Sequence, residues 1–253
     1  MLRATDVKAR RGGRVLLDGA SLALEPGKVV GLVAPNGWGK TTLLRLLAGA
    51  HMRGCSGILE VGGVRPGDER AFRRAVFYAP GEGTLLYPDV SARFHLEATK
   101  RLWGSPYSVD DVVRRCGIDA WLGRPASKLS QGMRQQLTLA IAYMTKARFL
   151  LLDEPMNALD PTNVQRNSGL VRKVAAHGAG ILMSSHVLDN VDRVCDSVVF
   201  MRGGKLVELP AGGAGSLATY NELYGSATPS AHARPQGEVL GDARPRGRRF
   251  PRP

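Results

Sequence analysis

No apolar run in the 253 residues approaches the roughly 18 that a membrane-crossing helix requires, and the opening MLRATDVKARRGG lacks the hydrophobic stretch of a secretion signal. The expectation is a cytosolic protein with no membrane segment of its own. Cysteine is scarce: Cys55, Cys116 and Cys195 are odd in number, far apart and without a CxxC pair, which argues against both a disulfide framework and a zinc site. Internal repeats are also missing, so whatever motifs the chain carries are present once. Acidic residues are few, 22 against 35 Lys and Arg, for a net charge of +13. Such a balance invites a nucleic-acid reading, but its distribution argues otherwise. From Ser226 to Pro253 six arginines face only Glu238 and Asp242, so the tail alone supplies +4, and the rest is spread without a block of five like charges. Solvated surface explains it best, anionic lipid headgroups come next, and no nucleic-acid partner is expected.

What is present suffices for one sizeable core with a subdomain, since 43% of the residues are hydrophobic. From Val7 to Val33 short strands alternate with turns at RGGR and PGK, which suggests an antiparallel lobe. KVVGLVAP has no alternation, as in a strand buried on both faces, and leads through a glycine loop into the helical TTLLRLLAGA. GILEVGGV and AVFYAP read as further strands. Between about Thr84 and Lys128 the periodicity turns helical, and QGMRQQLTLAIAYMTK forms another helix before the buried strand ARFLLLDEP. AGILMSSH is a strand, and SVVFMRGGKLVEL a hairpin across Gly203 and Gly204. Beyond Pro210 the composition drifts to Gly, Ala and Ser, then to an Arg- and Pro-rich tail that cannot bury enough surface to order itself.

GLVAPNGWGKTT, Gly31 to Thr42, follows the phosphate-loop template GxxxxGK[ST] except that Ala34 stands where glycine is usual. Consecutive amides at the positive end of a helix explain why such a loop holds phosphate. Gly37 and Gly39 are kept near the point of closest approach, Lys40 can reach the outer phosphates, and the Thr41 hydroxyl can bind Mg2+. Were Ala34 left-handed, it would cost roughly 1–2 kcal/mol, which weakens the loop without abolishing it. FLLLDEP sets Asp153 and Glu154 at the carboxyl end of a buried strand, where open parallel sheets bind ligands. Asp153 would hold Mg2+, and Glu154 would polarise the attacking water. His186 follows 33 residues after Asp153, at another strand end, as a phosphate contact.

KLSQGMRQQLTLA, Lys128 to Ala140, is the decisive stretch. With it the chain resembles the ATP-binding subunits of ABC transporters, whose LSGGQ signature corresponds to Leu129-Ser130-Gln131-Gly132-Met133. Lys40 to Ser130 is 90 residues and Ser130 to Asp153 is 23, both similar to that family, and DEPMNALDPTN matches its run from acidic pair to D-loop. The likeness covers roughly residues 1–210. It implies an α/β fold: a P-loop NTPase of ABC type, with a mixed-sheet core, an antiparallel β lobe and a helical subdomain at about 84–146. Residues 211–253 would form a C-terminal extension, disordered toward its end.

The resemblance further implies ATP and Mg2+ as cofactors. ATP would lie on Arg11, Asn36, Gly37, Trp38, Gly39, Lys40, Thr41 and Thr42, with Thr41 and Asp153 at the metal and Glu154, His186 and Lys40 catalytic. Ser130, Gln131 and Gly132 would form a second anion site that closes over the partner's nucleotide. One set of motifs then requires a homodimer, or a heterodimer with a sister subunit, and separate transmembrane permease subunits at the cytoplasmic face of the cell membrane. The LSQGMRQQL form and the LDP ending look most like exporters of drugs, antibiotics or lipids. Other readings are a soluble ABC ATPase acting on ribosomes or DNA, which usually has two cassettes or a coiled-coil insertion, and a degenerate regulatory subunit. Three departures from the family motivate the latter: Arg11 for the adenine-stacking aromatic, Ala34, and Gly81 for the Q-loop glutamine, with Glu82 as a carboxylate one position on that could approach the metal; Trp38 is a further departure, at a position usually held by a small residue.

Overall fold

The computed structural model describes residues 1–50, 53–81, 84–211 and 215–225, so Glu82 and the basic tail lie outside the described residues. The chain begins with two long strands, β1 (Leu2–Arg11) and β2 (Arg14–Leu24), joined tightly at Gly12 and Gly13, both with positive φ. With β4 (Cys55–Val61) on the other side of β1 they form an antiparallel sheet of order β2-β1-β4. Period-2 burial along β1 and β2 puts one face on the core and one in solvent.

A second sheet has the order β5-β6-β7-β3-β8-β9. Its members are β3 (Val29–Val33), β5 (Val76–Ala79), β6 (Phe149–Leu152), β7 (Gly180–Ser184), β8 (Ser197–Arg202) and β9 (Lys205–Pro210). The first five run parallel and β9 antiparallel, giving the mixed sheet anticipated from the sequence. β3, β6 and β7 are buried at every residue, which is why their sequences show apolar runs and not alternation.

Helices cover both faces. On one side α1 (Lys40–Leu47) buries Leu43, Leu44 and Leu47 in a cluster with Leu2, Leu24, Leu32 and Phe149, tying the antiparallel lobe to the main sheet. On the other, α5 (Gln131–Thr145) and α6 (Pro161–Ala176) pack Leu137, Met144 and Val171 against Leu150 and Ile181. α3 (Ala92–Trp103) and α4 (Val109–Cys116) follow the apolar stripes read from the sequence. Serine side chains cap α3, α4 and α5 (Ser91, Ser108, Ser130), and Asp160 caps α6. Four helices were not anticipated: α2 (Glu69–Ala75), α6, α7 (Leu188–Val194) and α8 (Ser216–Tyr224), the last in the Gly- and Ala-rich stretch that composition left without an element. Cys116 and Cys195 are buried free thiols, pushed up to about 12 by burial, so neither is a reactive thiolate.

Candidate functional site

The loop from Ala34 to Gly39 links the buried strand β3 to α1, so its backbone is anchored at both ends. Gly37 (φ 79°) and Gly39 (φ 103°) take the left-handed conformation that side chains resist. Ala34 is not among the residues with positive φ: its methyl is buried in the core and its carbonyl accepts a 2.8 Å hydrogen bond from Lys40 Nζ. The departure from the template therefore costs no backbone strain, because the positions that would punish a side chain are Gly37 and Gly39.

An open cleft of about 570 Å3 lies over this loop, lined by Asn36, Gly37, Gly39, Lys40, Thr41, Thr42, Asp153 and Glu154, with Arg11, Arg14, Leu16 and Arg45 completing it. Arg11 stands at the end of β1 and Arg14 opposite it at the start of β2, so the hairpin overhangs the loop. Four cationic side chains facing two carboxylates suit a polyanion that arrives with a divalent cation. Trp38 is not among the lining residues; its ring meets Tyr224 edge to face at 5.2 Å instead.

Strand order brings the acidic pair here. β7 lies between β6 and β3, so the end of β6, which carries Asp153 and Glu154, and the end of β3, which carries the loop, flank the same strand. Asp153 is buried (7% exposed) and doubly bonded: Ser184 Oγ donates to its Oδ1 at 2.7 Å and Tyr78 Oη to its Oδ2 at 3.1 Å. Burial first, then the adjacent Asp153 charge, pushes the Tyr78 hydroxyl up to about 12, so it stays a donor. Glu154 has φ 49°, a strained geometry for a residue with a side chain, held by the 2.8 Å bond from its N–H to Ser184 Oγ. One carboxylate oxygen lies 3.7 Å from Lys40 Nζ and the other 2.8 Å from His186 Nδ1, where the ring N–H donates.

Ser130 and Gln131 are exposed at the start of α5 and Gly132 is half-buried; none of the three lines the cleft. Ser130 Oγ accepts from Met133 N at 3.2 Å, which sets it at the positive helix end. A side chain on Gly132 would meet the Ala158 carbonyl at 2.7 Å, so the signature lies directly on the D-loop of its own chain. Gln135 reinforces that contact through the Pro155 carbonyl at 3.2 Å. Gly81, at the Q-loop position, lies against the Asp153 backbone, where an added carbon would sit 3.1 Å from its carbonyl.

The loop, the acidic pair and His186 thus converge, whereas the signature residues do not join them within one chain. Sequence reading missed Ser184, Tyr78, Arg14 and Arg45. Ser184 had a legible trace, two positions before His186 in MSSH; Tyr78 and the arginines depend on strand and hairpin placement.

Residues 17–157 match the family model described as ABC transporter. The chain is 29% identical to the lantibiotic transport ATP-binding protein SrtF of Streptococcus pyogenes, over 82% of this chain and 89% of that one. It is 32% identical to the tungstate uptake system ATP-binding protein TupC of Peptoclostridium acidaminophilum, over 82% and 97%. In fold it matches a solved ATP-binding subunit of an ABC transporter with a TM-score of 0.80 at 24% identity, covering 88% of this chain and 99% of that one. The chain belongs to the ABC transporter family, as an ATP-binding subunit whose ATPase activity powers transport through permease subunits.

Proposed function

We propose that Glu154 activates the water that attacks the terminal phosphate of ATP, in a site completed by the signature of a second subunit. The observation that carries this reading is the grip on Glu154: strained backbone, Ser184 beneath it, and Lys40 and His186 on its two oxygens at the mouth of the cleft. Such a carboxylate is aimed, and aiming is most of what a phosphoryl-transfer site requires. Lys40 and the amides of residues 36–42 would hold the phosphates, and His186 would orient Glu154 and contact the outermost one. Arg11 and Arg14 would lie along the nucleotide, with a guanidinium plane taking the adenine face.

Mg2+ fits the donor set: the Asp153 carboxylate, held by Ser184 and Tyr78, and the Thr41 hydroxyl are hard oxygen ligands in the same cleft. Among the described residues no group of three or more His, Cys, Asp or Glu could hold a metal ion. Bound there by Asp153 and Thr41, the ion would supply positive charge to balance the phosphates. Gly81 offers no side chain to it.

Exposed Ser130 and Gln131 at a helix start supply the second anion site, and the proposed dimer places each over the partner's nucleotide. Docking onto the permease would use the helical region, where Tyr87, Phe94 and Leu102 expose 71%, 57% and 76% of their surface. Export is the direction favoured by the LSQGMRQQL form, while the likeness to a tungstate uptake subunit favours the reverse. Transport assays with oriented vesicles carrying the permease would decide between them.

The test of the central reading is Glu154→Gln. With MgATP this variant is expected to accumulate as a dimer in light scattering and to lose at least about a hundredfold in kcat. A monomer under saturating MgATP, with and without a sister subunit, would rule the reading out.

A further inference from the structure

Trp38 is the one bulky side chain inside a loop whose work is done by backbone amides, and its ring turns away from the cleft. It packs into the core beside Tyr224, centroids 5.2 Å apart and planes at 81°. Tyr224 is itself 6% exposed, and its hydroxyl donates to the Met201 carbonyl on β8 at 2.7 Å, with the Val33 carbonyl at 3.5 Å. Val33 is the last residue of β3 before the loop. Tyr220 closes the group, 4.7 Å from Tyr224. At its other end α8 is pinned to α7: Asp192 accepts from the N–H of Ser216 at 3.0 Å and also from its hydroxyl. α7 in turn presses on β3, since a side chain at Gly31 would meet Val191 at 2.7 Å.

We propose that the C-terminal helix is a brace for the phosphate-binding loop, with Tyr224 and Trp38 as positioning residues that hold the loop amides toward the nucleotide. The reasoning is mechanical. A loop with left-handed glycines at 37 and 39 has backbone freedom to lose on binding, and a loop already fixed loses less of it. The Trp38 ring converts tertiary packing into loop order, and Tyr224 is the anvil it rests on. The proposal rests on the reading of the cleft as the nucleotide site.

The experiment is calorimetric titration of the full-length chain with MgADP, which binds the loop without being hydrolysed, alongside thermal unfolding without nucleotide. Tyr224→Ala and Trp38→Ala are each expected to raise Kd roughly three- to tenfold, the range of an edge-to-face aromatic pair. The double variant should be little worse than either alone, because the two share one contact. Tyr224→Phe keeps the ring and should restore affinity to within about twofold, which a role confined to the hydroxyl would not allow. Trp38→Phe likewise should bind more tightly than Trp38→Ala. Should Tyr224→Ala fail to fold, Trp38→Ala, whose ring is only half-buried, carries the test. Variants that bind MgADP as the intact chain does, even with a lowered melting temperature, overturn the brace. An intact chain that does not bind MgADP overturns the reading of the cleft.

Discussion

Ala34 and Ser184 show what a single residue decides at this site. The methyl of Ala34 looked like the risk in the loop, yet backbone torsions, not the motif template, set which positions punish a side chain, and those are Gly37 and Gly39. Ser184, marked in the sequence only by its place in MSSH, ties the Asp153 carboxylate to the Glu154 backbone, donating to Asp153 and accepting from the Glu154 N–H. Removing its hydroxyl leaves that half-buried N–H without its partner, at a cost of about 1–3 kcal/mol. Ser184→Ala is therefore expected to lower kcat by roughly five- to hundredfold with a smaller change in KM for ATP, since the loop is untouched. A kcat within twofold of the parent in a steady-state ATPase assay would show that Glu154 is held by other means.

At the level of elements, the proposed chemistry falls on helix starts. α1 begins at the loop and α5 at the signature, and only the first faces the cleft within one chain. The start of α5 is pressed against the segment that follows Glu154, through Gly132 on the Ala158 carbonyl, where Ala158 has φ 61°. A methyl there must push the two apart. Gly132→Ala is expected to leave MgADP affinity unchanged and to reduce ATPase by as much as about a hundredfold, the penalty of a misplacement near 1 Å. Equal loss of nucleotide binding and turnover would mean that the helix supports the fold and not the reaction.

Across the whole molecule, the separation of signature and loop makes the proposed partner a component of the active site. Two defective chains test this directly. Lys40→Ala removes the loop lysine and Ser130→Arg blocks the signature, so each should be inactive alone. A mixed head-to-tail pair contains one site built from an intact loop and an intact signature, and mixing should recover up to about a quarter of parental activity. No recovery above the two separate preparations would count against sharing of sites between copies.

Much of this was legible along the chain. The antiparallel lobe, the doubly buried strands, the Gly203-Gly204 hairpin and the helical stretch after Thr84 follow from burial period and turn residues, which are local properties. So do the loop, the acidic pair and the signature, because phosphate chemistry requires fixed residue types at fixed spacing on one element. What the sequence could not disclose is which elements stand side by side. The order β6-β7-β3 puts Glu154 within reach of Lys40 and His186, and only that order gives Ser184 two acidic neighbours. α8 was hidden for the same reason: its tyrosines read as a weak pattern in a Gly- and Ala-rich stretch until Trp38 and the Met201 carbonyl are set against them. Motifs are covalent and short-range; partners 31 to 191 residues away are chosen by packing, which no single stretch encodes.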